Sequence, residues 1–288
     1  MDFRDIAILQ QLYKEKNIKK TADLLFLSQP AITYRIHQLE KELNTDILIR
    51  EKKGVQFTLA GEYLVEHSRE LLAERDRIIE HIQNMGDEVQ GTLKIGVSNN
   101  FALYKLPPII RRFSRKFPKV KIMLKTGLGR EILKELENGD IYIGIESGGH
   151  RWVGQKTLID RSKICMISKN KFRLEDLPQQ PLIYVGTPSV ERVFNVWWPR
   201  RFHSVPQIVI RTDYVETCKH MVMNGLGTAF VPSFCLEEND PLFIEEIQTE
   251  DMDEEFYTES WINYKESSLE LSVVKEFVNF MIADNKAN

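Results

Sequence analysis

The sequence predicts an α/β protein with a helical head, a long connecting helix and two tandem Rossmann-like α/β subdomains. Three observations predict it. Apolar residues recur at helical spacing through the first forty-odd positions. A seven-residue apolar repeat then runs from Leu64 to Met85, and strand-like and helix-like segments alternate from residue 92 onward. Alternation of that kind builds parallel sheets flanked by helices.

In the head, residues 2–14 place Phe3, Ile6, Leu9 and Tyr13 on one helical face, as a supporting first helix. Residues 21–43 read as two short helices joined by a turn. Ser28 is a favoured N-cap for the second, and Pro30 falls in its first turn, where a missing N–H costs nothing. Ala22, Leu24, Leu25, Ala31, Ile32, Ile36 and Leu39 form an apolar set, leaving Gln29, Thr33, Tyr34, Arg35 and Gln38 outside. Amide, hydroxyl and guanidinium groups of this kind hydrogen-bond base edges in a major groove, as a helix-turn-helix recognition helix does. The pattern taken alone fits an amphipathic hairpin of a helical bundle equally well. Residues 46–50 and 55–57 read as a short hairpin whose charged turn carries Lys52 and Lys53 toward a phosphate backbone, or into solvent.

Thr58 is a plausible N-cap for a helix reaching about residue 85. Leu64, Leu71, Ile78 and Met85 fall seven apart, Val65, Leu72 and Ile79 repeat the spacing, and Ile82 extends the seam. Such a stripe suits pairing of two helices, with Arg75 as an interruption; packing on the chain's own C-terminal part is the alternative. Glycine-flanked 86–91 reads as a hinge.

Beyond it, residues 92–98, 121–126 and 141–146 read as strands with helices over 103–117 and 131–137 between them. A second set follows, with strands at 164–168, 182–185, 208–211 and 228–231 and helices near 190–197 and 215–224. The chain crosses back near 256–263 and ends in an amphipathic helix, 269–282. The expected division is a head of 1–58, a linker of 59–91 and a C-terminal domain of 92–288. That domain splits into subdomain I (about 92–161 plus 264–288) and subdomain II (about 162–263) around a cleft. Open α/β sheets bind ligands at the carboxyl ends of their strands. Those ends carry Ser98-Asn99-Asn100, Thr126-Gly127, Glu146-Ser147, Thr187-Pro188-Ser189 and Thr212-Asp213, short polar residues that serve equally as helix caps and turns. Glu146 either faces a ligand's cation or donor in the cleft, or faces solvent. The run 237–259 is acidic without a single Lys or Arg, and 111–125 is basic; both are read first as solvated faces.

Composition sets outer bounds. A chain of 288 residues with 42% hydrophobic content can bury two or three cores. The acidic, short-apolar N-terminus is no signal peptide, and no apolar run approaches membrane-spanning length, so a cytoplasmic protein with no membrane partner is expected. Cys165, Cys218 and Cys235 are scattered, suggesting neither a disulfide framework nor a metal site; nothing marks Cys218 as a redox sensor. Net charge is −3, but residues 1–57 hold ten Lys/Arg against eight Asp/Glu, a small surplus that two copies would double on DNA.

The string AxxLxxSQPAITxxIxxLExEL, the segment Leu48-Ile49-Arg50 and the run Phe57-Thr58-Leu59-Ala60-Gly61 resemble the winged helix-turn-helix of LysR-type transcriptional regulators. LKIGVSNN, LGREILKELENGDIYIGI and MVMNGLGTAFVP resemble that family's effector-binding domain, which is related to periplasmic solute-binding proteins. The resemblance implies a DNA-facing set of Ser28, Gln29, Pro30, Thr33, Tyr34 and Arg35, with Arg50, Lys52 and Lys53 beside the wing. Many members carry Arg where this chain has Tyr34, with Arg35 following it. The resemblance further implies an effector cleft lined by Ser98, Asn99, Asn100, Thr126, Thr187, Ser189 and Thr212, to which the strand-end reading adds Glu146, and it makes the long helix, with Leu64, Leu71, Ile78, Ile82 and Met85 on its seam, the one that pairs two heads. Implied partners are double-stranded operator DNA, a small-molecule effector, RNA polymerase and further copies in a dimer or tetramer; no cofactor is implied. The rival reading is an α/β enzyme with a DNA-binding head. Against it stands the lack of a GxSxG elbow, phosphate-binding glycine loop or HExxH. A transporter's solute-binding protein fits the C-terminal pattern but leaves the head unexplained.

Overall fold

The structure is a computed structural model that describes residues 1–51, 54–83, 88–247 and 256–287. The chain divides into two compact units, Met1–Gln83 (with Asn138–Asp140) and the remainder.

The N-terminal unit is built of α1 (Phe3–Glu15), α2 (Ile18–Leu24), α3 (Gln29–Leu43), the strands β1 (Leu48–Glu51) and β2 (Gly54–Phe57), and α4 (Leu59–Gln83). Every helix start has a chemical cause. Asp2 caps α1 in a reciprocal box with Asp5, Asn17 caps α2, and Ser28 caps α3 by accepting from Ala31 N at 3.3 Å. Thr58 Oγ1 accepts from Gly61 N at 3.0 Å at the head of α4. Leu9, Leu12, Ile32, Ile36, Leu39 and Ile47 are the buried centre, each contributing about 1.5–3 kcal/mol. Leu24, expected in this core, is 48% exposed, because α2 ends beside it and the chain turns away. β1 and β2 pair antiparallel with Arg50 opposite Val55, and Val55 N donates to Lys16 O at 3.0 Å, tying the wing to the end of α1.

α4 is anchored to α1 through Gln10, whose amide donates to Val65 O at 2.5 Å and Ser68 Oγ at 2.8 Å and accepts from Arg69 at 2.7 Å. Arg75, which breaks the apolar seam, stacks on Phe3 at 5.2 Å. Leu64 packs partly against the head's own core, while Leu71, Ile78 and Ile82 stand 48%, 50% and 60% exposed. Met85 lies outside the described residues.

The C-terminal unit contains a nine-stranded mixed sheet among the described residues. Its strands are β3 (Gly91–Ser98), β4 (Val120–Gly127), β5 (Ile143–Ser147), β6 (Gln155–Ser168), β7 (Leu182–Val185), β8 (Ile208–Thr212), β9 (Thr228–Pro232), β10 (Phe243–Glu246) and β11 (Tyr257–Tyr264). The order is β4-β3-β5-β11-β6-β9-β7-β8, with β10 on β6. Two parallel sets, β4-β3-β5 and β9-β7-β8, are joined by antiparallel β11 and β6. One core gathers β3, β5 and the buried face of the terminal helix (Ser272–Ala287), with Phe113 at its centre; the other gathers β7, β9 and the aromatic residues Phe194, Trp197, Trp198 and Phe230.

Two expected elements come out differently. The helix expected over 103–117 is two helices, α5 (Asn99–Tyr104) and α6 (Leu106–Lys116), because Pro107 and Pro108 cannot supply the N–H groups a continuous helix needs. The strand expected over 164–168 is the end of the fourteen-residue β6, whose earlier half has the polar alternation of a strand half open to solvent.

Candidate functional site

The N-terminal unit presents the start of α3 outward. Ser28, Gln29, Pro30 and Tyr34 are exposed, Thr33 is half-buried, and Ile32, Ile36 and Leu39 face inward. Arg35, in the expected recognition set, is held by the chain itself. Its Nε donates to Asp5 at 2.8 Å and its Nη2 to Asp2 at 2.5 Å, so the guanidinium clamps α3 to the cap of α1. The Arg35 guanidinium, helped by the Asp5 backbone N–H, holds the Asp2 carboxyl down at about 2. A depressed carboxyl stabilises above its unfolded pKa of roughly 3.9 and loses that contribution as pH falls through the folded value. The gap in melting midpoint between the parent chain and Arg35→Ala is therefore expected to be constant above pH 5 and to close toward pH 2. Of the wing residues, Arg50 is described only as a backbone partner of Val55, and Lys52 and Lys53 lie outside the described residues.

Capping by Ser28 sets where α3 begins and hence where Gln29 stands. Ser28→Ala is expected to lower stability by about 1 kcal/mol, read from the thermal midpoint by circular dichroism.

The C-terminal unit holds a cavity of about 460 Å³ at the carboxyl ends of β3, β5 and β7. Its floor is a band of hydroxyls. Ser98 Oγ lies 3.2 Å from Ser147 Oγ, which lies 2.9 Å from the Oγ of Ser260, buried behind the lining. Two residues away on β11, Thr258 donates to Ser189 Oγ at 2.7 Å, and Ser189 lies 3.4 Å from Thr187 Oγ1. Hydroxyls donate or accept as the partner requires. Arg130, His150, Glu191 and Asp213 bring ionisable groups to the walls.

The sequence matches the model of the LysR substrate binding domain over residues 86–285 and that of the bacterial regulatory helix-turn-helix protein, lysR family, over 3–62. The chain belongs to the LysR family of bacterial transcriptional regulators. The uncharacterized HTH-type transcriptional regulator YraN of Bacillus subtilis (strain 168) is 37% identical over 98% of this chain and 97% of that protein. AlsR, an HTH-type transcriptional regulator of the same organism, is 27% identical over 97% and 95%. Among solved structures, full-length CbnR complexed with target DNA superposes with a TM-score of 0.71 at 20% identity, over 98% of this chain and 99% of that one. This LysR-family chain is thus a DNA-binding transcriptional regulator with a helix-turn-helix head and a substrate-binding domain.

Of the regulator's candidate cleft residues, Ser98, Asn99, Asn100, Thr187 and Ser189 line the cavity. Thr126, Glu146 and Thr212 do not; at each of those strand ends the next residue does, namely Gly127, Ser147 and Asp213. Side chains alternate across a strand, so a one-residue shift at its end exchanges the cleft for the opposite face. Thr126 is exposed, and Thr212 Oγ1 accepts from Tyr214 N at 3.4 Å. Glu146 does not face solvent: it is fully buried, with Oε2 at 2.7 Å from His150 Nδ1 and Oε1 at 3.7 Å from Lys156 Nζ. Arg130, His150 and Tyr214 escaped the sequence reading because they come from loops and helix starts that strand-end reasoning does not reach. The three thiols are buried, and burial pushes Cys165 up to about 11 and Cys218 to about 12, which disfavours the thiolate a redox sensor uses. No helix among the described residues is long and apolar enough to cross a membrane.

Proposed function

We propose that this regulator reads a partly palindromic operator through Gln29, Thr33 and Tyr34 at the start of α3. Ser28 and Pro30 fix where that helix begins, Arg35 fixes its seating on α1, and Arg50, Lys52 and Lys53 meet phosphates beside the wing. The observation that carries the reading is the polar N-terminal end of α3, exposed beyond a capped turn while its other face is buried. Two copies pair along the exposed Leu71, Ile78 and Ile82 stripe of α4, extended by Met85, as a dimer or a dimer of dimers. A small cytoplasmic molecule binds over the hydroxyl band of the C-terminal cleft and favours one arrangement of the heads, changing contact with RNA polymerase; equal affinity for both arrangements would shift nothing. We read the cleft as a binding site and not a catalytic one, so a captured molecule is expected to be recovered unchanged and in stoichiometric amount.

Selection of bound sequences from a random DNA pool by the full-length protein, at near-physiological salt, tests the first step. A dyad-symmetric consensus with half-sites about one helical turn or a multiple apart is expected. Weak, sequence-independent binding that salt abolishes would sink the reading.

A further inference from the structure

Phe26 sits in the turn between α2 and α3, two residues before the Ser28 cap, and its side chain is 95% exposed. No large apolar side chain among the described residues is more exposed. Its φ of +54° lies in the left-handed region, where Gly or Asn is at ease and a bulky residue is not. The turn is fixed by its own hydrogen bonds, Leu25 N to Thr21 O at 3.0 Å and Leu27 N to Ala22 O at 2.9 Å, so the ring is held outward by a rigid backbone. The left-handed φ ends α2, as it ends α1 at Lys16 and α3 at Asn44, and Asn would serve that stop better than Phe; the ring itself buries nothing in the folded chain. A bulky apolar ring kept fully exposed at such a helix stop, with Leu24 and Leu27 beside it, points to a role outside the fold.

The position says which role. The turn delivers the chain into the N-terminal end of α3, and in helix-turn-helix proteins that end of the second helix meets the base edges. Leu24 and Leu27, 48% and 44% exposed, flank the ring and extend an apolar lip beside the polar recognition face. Duplex DNA offers apolar groups at that place, the C5-methyl of thymine in the major groove and the carbons of deoxyribose at its edge. We propose that Phe26 is a DNA-contacting residue that packs on apolar groups of the operator at the rim of the groove entered by α3. The proposal rests on reading α3 as the recognition helix. It adds an uncharged contact whose contribution is independent of counterion release, unlike a phosphate contact from Lys or Arg.

The test compares full-length parent and Phe26→Asn on the operator obtained by selection, and on the same duplex with uracil in place of every thymine, over a series of salt concentrations. Thermal midpoint and sedimentation mass are measured on the same samples. Asn tolerates the left-handed turn, so the variant is expected to melt at or above the parent's midpoint with unchanged mass. It is expected to bind the operator roughly tenfold more weakly, the scale of one lost base-pair contact, with the same dependence of log K on log salt. If the ring meets thymine methyls, the uracil duplex weakens the parent to the variant's level and leaves the variant unchanged. If it meets deoxyribose, the parent keeps its affinity for the uracil duplex and the variant stays weaker on both. Equal binding by parent and variant would overturn the proposal while leaving the recognition helix intact. So would weaker binding traced wholly to a smaller assembly, which would place Phe26 between subunits. A parent that selects no consensus at all would overturn the reading of α3, and this proposal with it.

Discussion

Asp240→Ala is expected to lower the unfolding free energy of the C-terminal unit by about 3–5 kcal/mol, and Lys219→Met by clearly less. Lys219 lies in the interior: its side chain is 2% exposed, on α7 (Val215–Met223). The ammonium lies 3.0 Å from Asp240 Oδ2, donates to Cys235 O at 2.8 Å and to Tyr104 Oη at 3.1 Å, and stands 3.8 Å from Glu216. Tyr104 in turn donates to Glu216. The group therefore ties α5, at the end of the first parallel set, to α7 and the segment after β9 in the second. Removing Asp240 leaves a buried positive charge with neutral acceptors and a half-exposed carboxylate, and the desolvation cost of that ammonium is no longer offset. Removing the ammonium is milder. Met fills much of the lysine's volume, and Asp240 keeps a backbone donor, Glu237 N at 2.9 Å. All four tryptophans, Trp152, Trp197, Trp198 and Trp261, belong to the C-terminal unit, so urea unfolding followed by their fluorescence reports on it alone. A loss for Asp240→Ala no larger than that for Lys219→Met would show that water reaches the lysine and that the network does not hold these elements together.

That network is of a kind a sequence does not display. Local chemistry was legible: Ser28 with Pro30 located the start of α3, Thr58 the start of α4, and residues 182–185 matched β7. These signals lie within a few residues of what they specify. Partners far apart in the chain leave no such trace. Nothing near Lys219 announces Tyr104, 115 positions away, and nothing near Arg35 announces its bonds to Asp2 and Asp5, 33 and 30 positions off. The cleft was half legible for a related reason. Strand ends were located from composition, but whether Thr126 or Gly127 turns inward depends on strand register and on where the ladder ends, which neighbouring strands decide. The edge strand β10 escaped because its alternation, Phe243 and Glu245 half-buried against exposed Ile244 and Glu246, is carried by two acids inside an acidic run.

Gly61→Ala tests the packing that seats the wing, and its sign is opposite to what helix propensity alone would give. In a helix interior, Ala is favoured over Gly by about 1 kcal/mol. Gly61 lies in the first turn of α4, and a Cβ there would stand 2.3 Å from Ile47 O, 3.0 Å from Ile47 Cγ2 and 3.1 Å from Phe57 Cδ1. The nearest neighbour is a backbone carbonyl and not the free end of a side chain. That oxygen also accepts from Thr58 N at 3.0 Å and from Thr58 Oγ1 at 3.3 Å, and Ile47 is fully buried, so it cannot withdraw without breaking the junction between β1 and α4. Overpacking against such a neighbour costs typically about 1–3 kcal/mol and outweighs the propensity gain. The variant is expected to melt lower by circular dichroism and to bind the selected operator more weakly, because the hairpin bearing Arg50 shifts against α3. An unchanged or raised midpoint would mean that α4 backs away freely, and that the close approach at Gly61 does not fix the wing.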